Sequence, residues 1–174
     1  MDYLTRATNR KELRSLSALF RHLFDVEKGG SFPVLEILDK IPEVFTGSDY
    51  SIVEDKELPA NVPAQCILTG DETFEIQIKE SVYEGAYTRN VGGYRAHILH
   101  EVCHAFLYML GFRPIVQRSF KNGQIAPYSS VEWQAKALCG EIMMPYNETA
   151  DMSEQEIMRV YGVSEAQAHY RKKY

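Results

Sequence analysis

The apolar positions follow two different periods along the chain. Over residues 9–27, Leu13, Leu16, Phe20, Leu23 and Phe24 recur at helical spacing, and Gly29-Gly30 closes the segment. A short helix is predicted after Pro33, with Leu35, Leu38 and Ile41 leading up to Pro42. From about Tyr50 the period changes to two. Tyr50–Val53, Ala64–Thr69 and Thr73–Lys79 read as strands, with Gly70-Asp71 in a tight connection between the last two. Phe74, Ile76 and Ile78 alternate with Glu75, Gln77 and Lys79, which implies one buried and one wet face. The helical period then returns through Arg95–Leu110, Val131–Met144 and two short C-terminal helices. Strands and helices are segregated along the chain, so the expected class is α+β.

Composition narrows the setting. The chain has 174 residues, 45% apolar and 25% charged, as an ordinary globular domain does. No apolar run approaches the roughly 18 residues that a membrane span requires. Residues 1–14 mix charged and polar positions without an apolar core, so they do not read as a secretory signal. Cys66, Cys103 and Cys139 are widely spaced and odd in number, which argues against a disulfide framework and for a reduced, cytoplasmic compartment. A formal charge of −5 weighs against a surface devoted to nucleic acid. The basic clusters Arg6–Arg14 and Arg171–Lys173 read as solvated helix faces. Nothing demands more than a monomer.

The chemistry is concentrated in His100-Glu101-Val102-Cys103-His104, a His-Glu-x-x-His motif. Two histidines four residues apart stand one turn above each other on a helix, so both imidazoles can reach one metal ion. The glutamate beside the first histidine is poorly placed to share that ion, but it can hold and deprotonate a water. Gly111 sits where a C′ glycine belongs and Pro114 follows, which supports the helix. At about 100° per residue, His97, His100, Glu101, His104 and Tyr108 form one stripe on an otherwise apolar helix. Burying such groups costs free energy unless they are paired, and a metal would pair them. A catalytic zinc takes three protein ligands. The next helix offers Glu132 and Glu141, which project nearly opposite each other. Glu132 borders the apolar arc of Val131, Ala135, Leu138, Cys139, Ile142 and Met143, and is the expected third ligand. Glu141, near Gln134 on the far side, is expected to be solvated. Ser129-x-x-Glu132 also reads as a capping box.

These residues resemble the ImmA/IrrE family of zinc metallopeptidases. The resemblance spans roughly residues 30–172. It rests on Ser81-Val82-Tyr83-Glu84-Gly85-Ala86, Arg95 ahead of the motif, His100–His104, Glu132-Trp133-Gln134-Ala135 running to Met143-Met144-Pro145, and Tyr161-Gly162-Val163-Ser164 with Arg171. Ala96, His97, Cys103 and Lys136 depart from the family's usual residues, which bears on substrate preference and local packing. The resemblance implies a zincin-like metallopeptidase domain over residues 1–150, with N-terminal helices and an edge strand before the active-site helix. It implies a C-terminal helical element over 151–174, without a large sensor domain. It also implies one Zn2+ held by His100, His104 and Glu132, Glu101 as catalytic base, and a helix-turn-helix transcriptional repressor as protein substrate.

Several roles stay open. Tyr83, Arg95, His97 and Tyr128 are candidates for stabilising the transition state or contacting substrate. The strand Phe74–Lys79 offers either a sheet edge for an extended substrate or an interior strand. The segment Phe112–Tyr128, with Asn122-Gly123 as a turn, reads as a lid, a specificity loop or a surface hairpin. Ser153-x-x-Glu156 and Ser164-x-x-Gln167 are capping boxes on either side of Gly162, an outline similar to half of a helix-turn-helix. The acidic flank Asp151–Glu156 favours packing on the core over DNA contact. A less specific metallopeptidase and a non-catalytic, zinc-stabilised anti-repressor are the competing functions.

Overall fold

The computed structural model describes residues 2–115 and 125–174, so most of the Phe112–Tyr128 segment and its Asn122-Gly123 turn lie outside the described residues. The class is α+β, as the segregated periods imply. Helix α1 (Arg10–Leu23) starts at Asn9, whose side chain accepts the Glu12 N–H, and buries Leu13 and Phe20. It stops earlier than its pattern suggests, because Asp25 turns the chain at φ 53° before the two glycines. The segment after Pro33 is two short helices, α2 (Val34–Asp39) and α3 (Ile41–Val44), with Pro42 in the first turn of α3, where its missing N–H costs nothing.

Strands β1 (Asp49–Val53), β2 (Ala64–Leu68) and β3 (Phe74–Lys79) form one sheet in the order β1-β3-β2. β2 and β3 are an antiparallel hairpin pairing Cys66 with Ile76, closed by Thr69 N–H donating to the Thr73 carbonyl. β1 runs parallel to β3 on the other side. Phe74–Lys79 is therefore the interior strand, fully flanked, and not a free edge. Its Phe74, Ile76 and Ile78 are buried to within 1% of zero exposure, as the alternation implies, but Lys79 on the expected wet face is also buried, its ammonium donating to the Pro59 and Ala60 carbonyls. β2 is the edge that packs on the motif helix.

Helix α4 (Glu80–Thr88) follows β3 directly, and no amphipathic pattern in the sequence announces it. Helix α5 (Gly92–Met109) carries the His-Glu-x-x-His motif through the middle of the molecule, burying Ile98, Leu99, Val102, Cys103 and Phe106. Phe20 of α1 meets Phe106 edge-on at 5.1 Å between ring centroids, which locks α1 to α5. Truncating either ring would cost about 3–5 kcal/mol. Gly111, at φ 87°, ends α5 in the expected left-handed turn.

Helix α6 (Val131–Met143) lies between α1 and α5 and is followed by α7 (Tyr146–Thr149), α8 (Glu154–Tyr161) and α9 (Glu165–Lys173). Both C-terminal capping boxes form, and Gly162 adopts φ 63° between them. Ile157, Tyr161, Val163 and Ala168 join the same buried cluster as α1, α5 and α6, so residues 151–174 pack on the core. Gly92 is needed there: a Cβ on it would stand 2.7 Å from the Gly162 carbonyl oxygen. Among the described residues no helix is long and apolar enough to cross a membrane.

Candidate metal centre

The two motif histidines converge because α5 is a regular helix at that point, and their rings meet edge to face at 4.5 Å between centroids. His100 Nε2 and His104 Nε2 are 3.0 Å apart. Glu132, in the first turn of α6, reaches across to both. Its Oε2 is 3.3 Å from His100 Nε2 and its Oε1 is 3.4 Å from His104 Nε2. A tetrahedral ion with bonds of 2.0–2.1 Å has ligand atoms about 3.3 Å apart, and each of these separations is close to that, although the two histidines face different oxygens of Glu132.

The donor set also fits a cation chemically. Two imidazole nitrogens and a carboxylate point their lone pairs at one place, and a neutral imidazole has only one N–H to share. Hydrogen bonds to His100 and His104 hold the Glu132 carboxyl well below the usual carboxylate range, so this group is an anion at neutral pH. His100, Glu101 and His104 are themselves a group that could hold a metal ion, with donor atoms within 4.8 Å of one another. Two carboxylates therefore approach the histidines. Glu132 touches both Nε2 atoms, whereas Glu101 is held elsewhere: its Oε2 accepts the backbone N–H of Cys66 at 3.0 Å. Glu132 is therefore the carboxylate in direct contact with both imidazoles, while Glu101 stands beside them on the Cys66 N–H. Burial raises the Glu101 pKa, against the lowering influence of His104, His100 and the Cys66 N–H.

The start of α6 is set from far away in sequence. Ser130, and not Ser129, is the N-cap, accepting the Trp133 N–H. Ser129 sits in a preceding 3-10 turn, Pro127–Ser129, so the box expected with Glu132 does not form. Instead Asp2 takes the capping role: its Oδ1 accepts the Glu132 N–H at 3.1 Å and its Oδ2 accepts Ser130 Oγ–H at 2.6 Å. The Val131 N–H donates to the Tyr3 carbonyl, and the Thr5 N–H to that of Ser129. Only the acidic residue at position 2 could have signalled this, and local spacing does not reveal a partner 130 residues away.

The other candidates separate. His97 is exposed on the same stripe of α5 as the ligands, and Tyr128 is 54% exposed just before α6. Arg95 and Tyr83 line a different cavity, and Arg95 lies two residues before His97, on nearly the opposite side of α5. They are not brought together with the histidines. Cys66 is displaced from reactivity by burial, which pushes its thiol up to about 12. Cys103 and Cys139 are buried free thiols at the α5–α6 contact, with Cys103 also raised by burial.

Glu141 corrects the sequence reading. It is 1% exposed and held by Arg171 at 2.8 Å, Arg14 at 3.5 Å and Arg10 at 3.8 Å. The basic clusters at the two chain ends are thus partly turned inward around one carboxylate. Gln134, placed beside it on the solvated side, is also fully buried and donates to the Arg6 and Tyr128 carbonyls. No family model matches the chain, and no curated protein aligns with it.

Proposed function

We propose that the protein is a zinc-dependent endopeptidase, and that the convergence of His100, His104 and Glu132 beside Glu101 is the observation that carries this reading. Bound by those three side chains, zinc supplies a Lewis acid that acidifies a water and polarises a peptide carbonyl. Glu101 would take a proton from a water in the site as the water's oxygen adds to the carbonyl carbon. The same carboxyl then delivers the proton to the leaving amine nitrogen as the C–N bond breaks, giving a carboxylate and a free amine. The Cys66 N–H orients Glu101 for both transfers, and its partial burial keeps it a stronger base than a solvated carboxylate. His97, exposed on the histidine stripe of α5, and Tyr128, exposed in the turn before α6, are the remaining candidates for a second oxyanion donor. The substrate class, a helix-turn-helix repressor, rests on the resemblance to ImmA/IrrE peptidases, and a cytoplasmic setting rests on the three widely spaced free cysteines.

The test begins with bound metal. The expected result is about one zinc per chain, lost in His104→Ala and Glu132→Ala. No zinc in the wild-type protein would overturn the reading. With a cleaved repressor in hand, Glu101→Gln should keep zinc and lose about 10²–10⁴ in rate. A Glu101→Gln protein that inactivates the repressor as well as wild type would instead establish sequestration, and degradation of unfolded casein would point to a less specific peptidase.

A further inference from the structure

On the side of α5 away from the histidines, a cavity of about 450 Å³ opens between α2 and α4. That volume falls within the roughly 300–1,000 Å³ of small-molecule sites. Its wall carries Arg95, which is 7% exposed. Arg95 donates to Ser31 Oγ at 2.6 Å and to the Gly162 carbonyl at 2.8 Å, both neutral acceptors. Its Nε has no partner, and no described carboxylate lies within ion-pairing distance of it. Only two of the five N–H groups of the guanidinium are used, and a buried charge without a counter-ion is costly. Burial lowers the Arg95 pKa, while the charge on Glu36 acts in the other direction.

The mouth has the opposite sign. Glu36 is exposed with no hydrogen bond, and Asp39, one turn on, uses one oxygen to accept the Tyr50 hydroxyl. Leu35, Ala86 and the parallel rings of Tyr83 and Tyr87, 6.4 Å apart, supply apolar wall. A simple anion would meet Arg95 but be repelled by Glu36 and Asp39. A simple amine would meet the reverse. We propose that this cavity binds a free α-amino acid with an apolar side chain, its carboxylate toward Arg95, its ammonium toward Glu36 and its side chain against Leu35 and Ala86. The site is distinct from the metal centre.

Titration calorimetry of the full chain with L-phenylalanine tests this, with and without zinc, so that the result stands apart from the peptidase reading. Saturable one-site binding with Kd of about 1 mM or tighter is expected. L-phenylalaninamide, which lacks the carboxylate, and N-acetyl-L-phenylalanine, which lacks the ammonium, should each bind at least about tenfold more weakly. Because Arg95 ties three segments together, the variant used is Glu36→Gln at the exposed mouth, which should weaken phenylalanine by about tenfold while leaving thermal stability unchanged. Amide resonances of Ala86 and Asn90 should shift on binding. No saturation, equal binding of either analogue, an unaltered Kd in Glu36→Gln, or unmoved resonances at Ala86 and Asn90 would overturn it.

Discussion

Helix α6 carries two glutamates in different settings. Glu141 is almost wholly buried and surrounded by three arginines, each from a helix at one end of the chain. Glu132 has a side chain 52% exposed and touches only two imidazoles, which themselves point at each other. Excess positive charge around Glu141 balances the carboxylate inside the protein. At Glu132 the neighbours bring lone pairs, and the deficit of positive charge is what a metal ion would fill. The difference separates a carboxylate enclosed by cations from one whose partners offer lone pairs, although both sit on one helix.

The comparison can be broken most forcefully at Glu141. Glu141→Ala leaves three cations around a buried vacancy and is expected to cost about 3–5 kcal/mol, measured by urea unfolding of the zinc-free protein. An effect below 1 kcal/mol, about that of a surface pair, would show the cluster to be incidental. Glu132→Ala should do the reverse: zinc-free stability close to wild type, and zinc affinity reduced about a hundredfold or more. The ratio of zinc-bound to zinc-free stability sharpens the contrast. Zinc at about 100 times its Kd should add about 2.7 kcal/mol to wild type and to a folded Glu141→Gln variant, but little to Glu132→Ala. Ser153→Ala, which removes a cap remote from both, should cost only about 1 kcal/mol by thermal melting.

The smallest effect is a pH dependence. Glu156, fully exposed, has its pKa lowered by the Ser153 N–H and hydroxyl. A folded-state pKa below the unfolded value means that its contribution is complete above about pH 4.3 and lost as pH falls through the folded pKa. Stability of the zinc-free wild type should therefore decline more steeply below about pH 4.3 than that of Glu156→Gln.

How much of this was legible depends on distance along the chain. The histidine pair, Gly111 and both C-terminal capping boxes are local patterns, and each formed as spaced. Glu132 was legible because its helix carries an apolar arc beside it. Glu141 was not, since its partners Arg10, Arg14 and Arg171 come from remote segments, and a helical projection cannot tell a solvated far side from one that another helix covers. The same limit explains β3: alternation identified its buried face, but its central position comes from direct parallel pairing with β1, a strand that β2 separates from it in sequence. Helix α4 escaped because Tyr83, Tyr87 and its glutamates leave a broad exposed face with little period.

The contact between Asp2 and the first turn of α6 ties the order of assembly to the metal centre. The two histidines are placed by one helix as soon as that helix forms, and need no distant loop closure. The Asp2 contact to Glu132 forms only when the two ends of a loop of about 130 residues meet, an event whose entropic cost grows slowly with length but must be met in full. Zinc bound by two ligands would thus mark an early folding species, and zinc bound by three would mark the docked N-terminus. Metal affinity would then gauge a closure made at the backbone of Glu132 itself, and a tag fused ahead of Asp2 would register in it before any change in secondary structure.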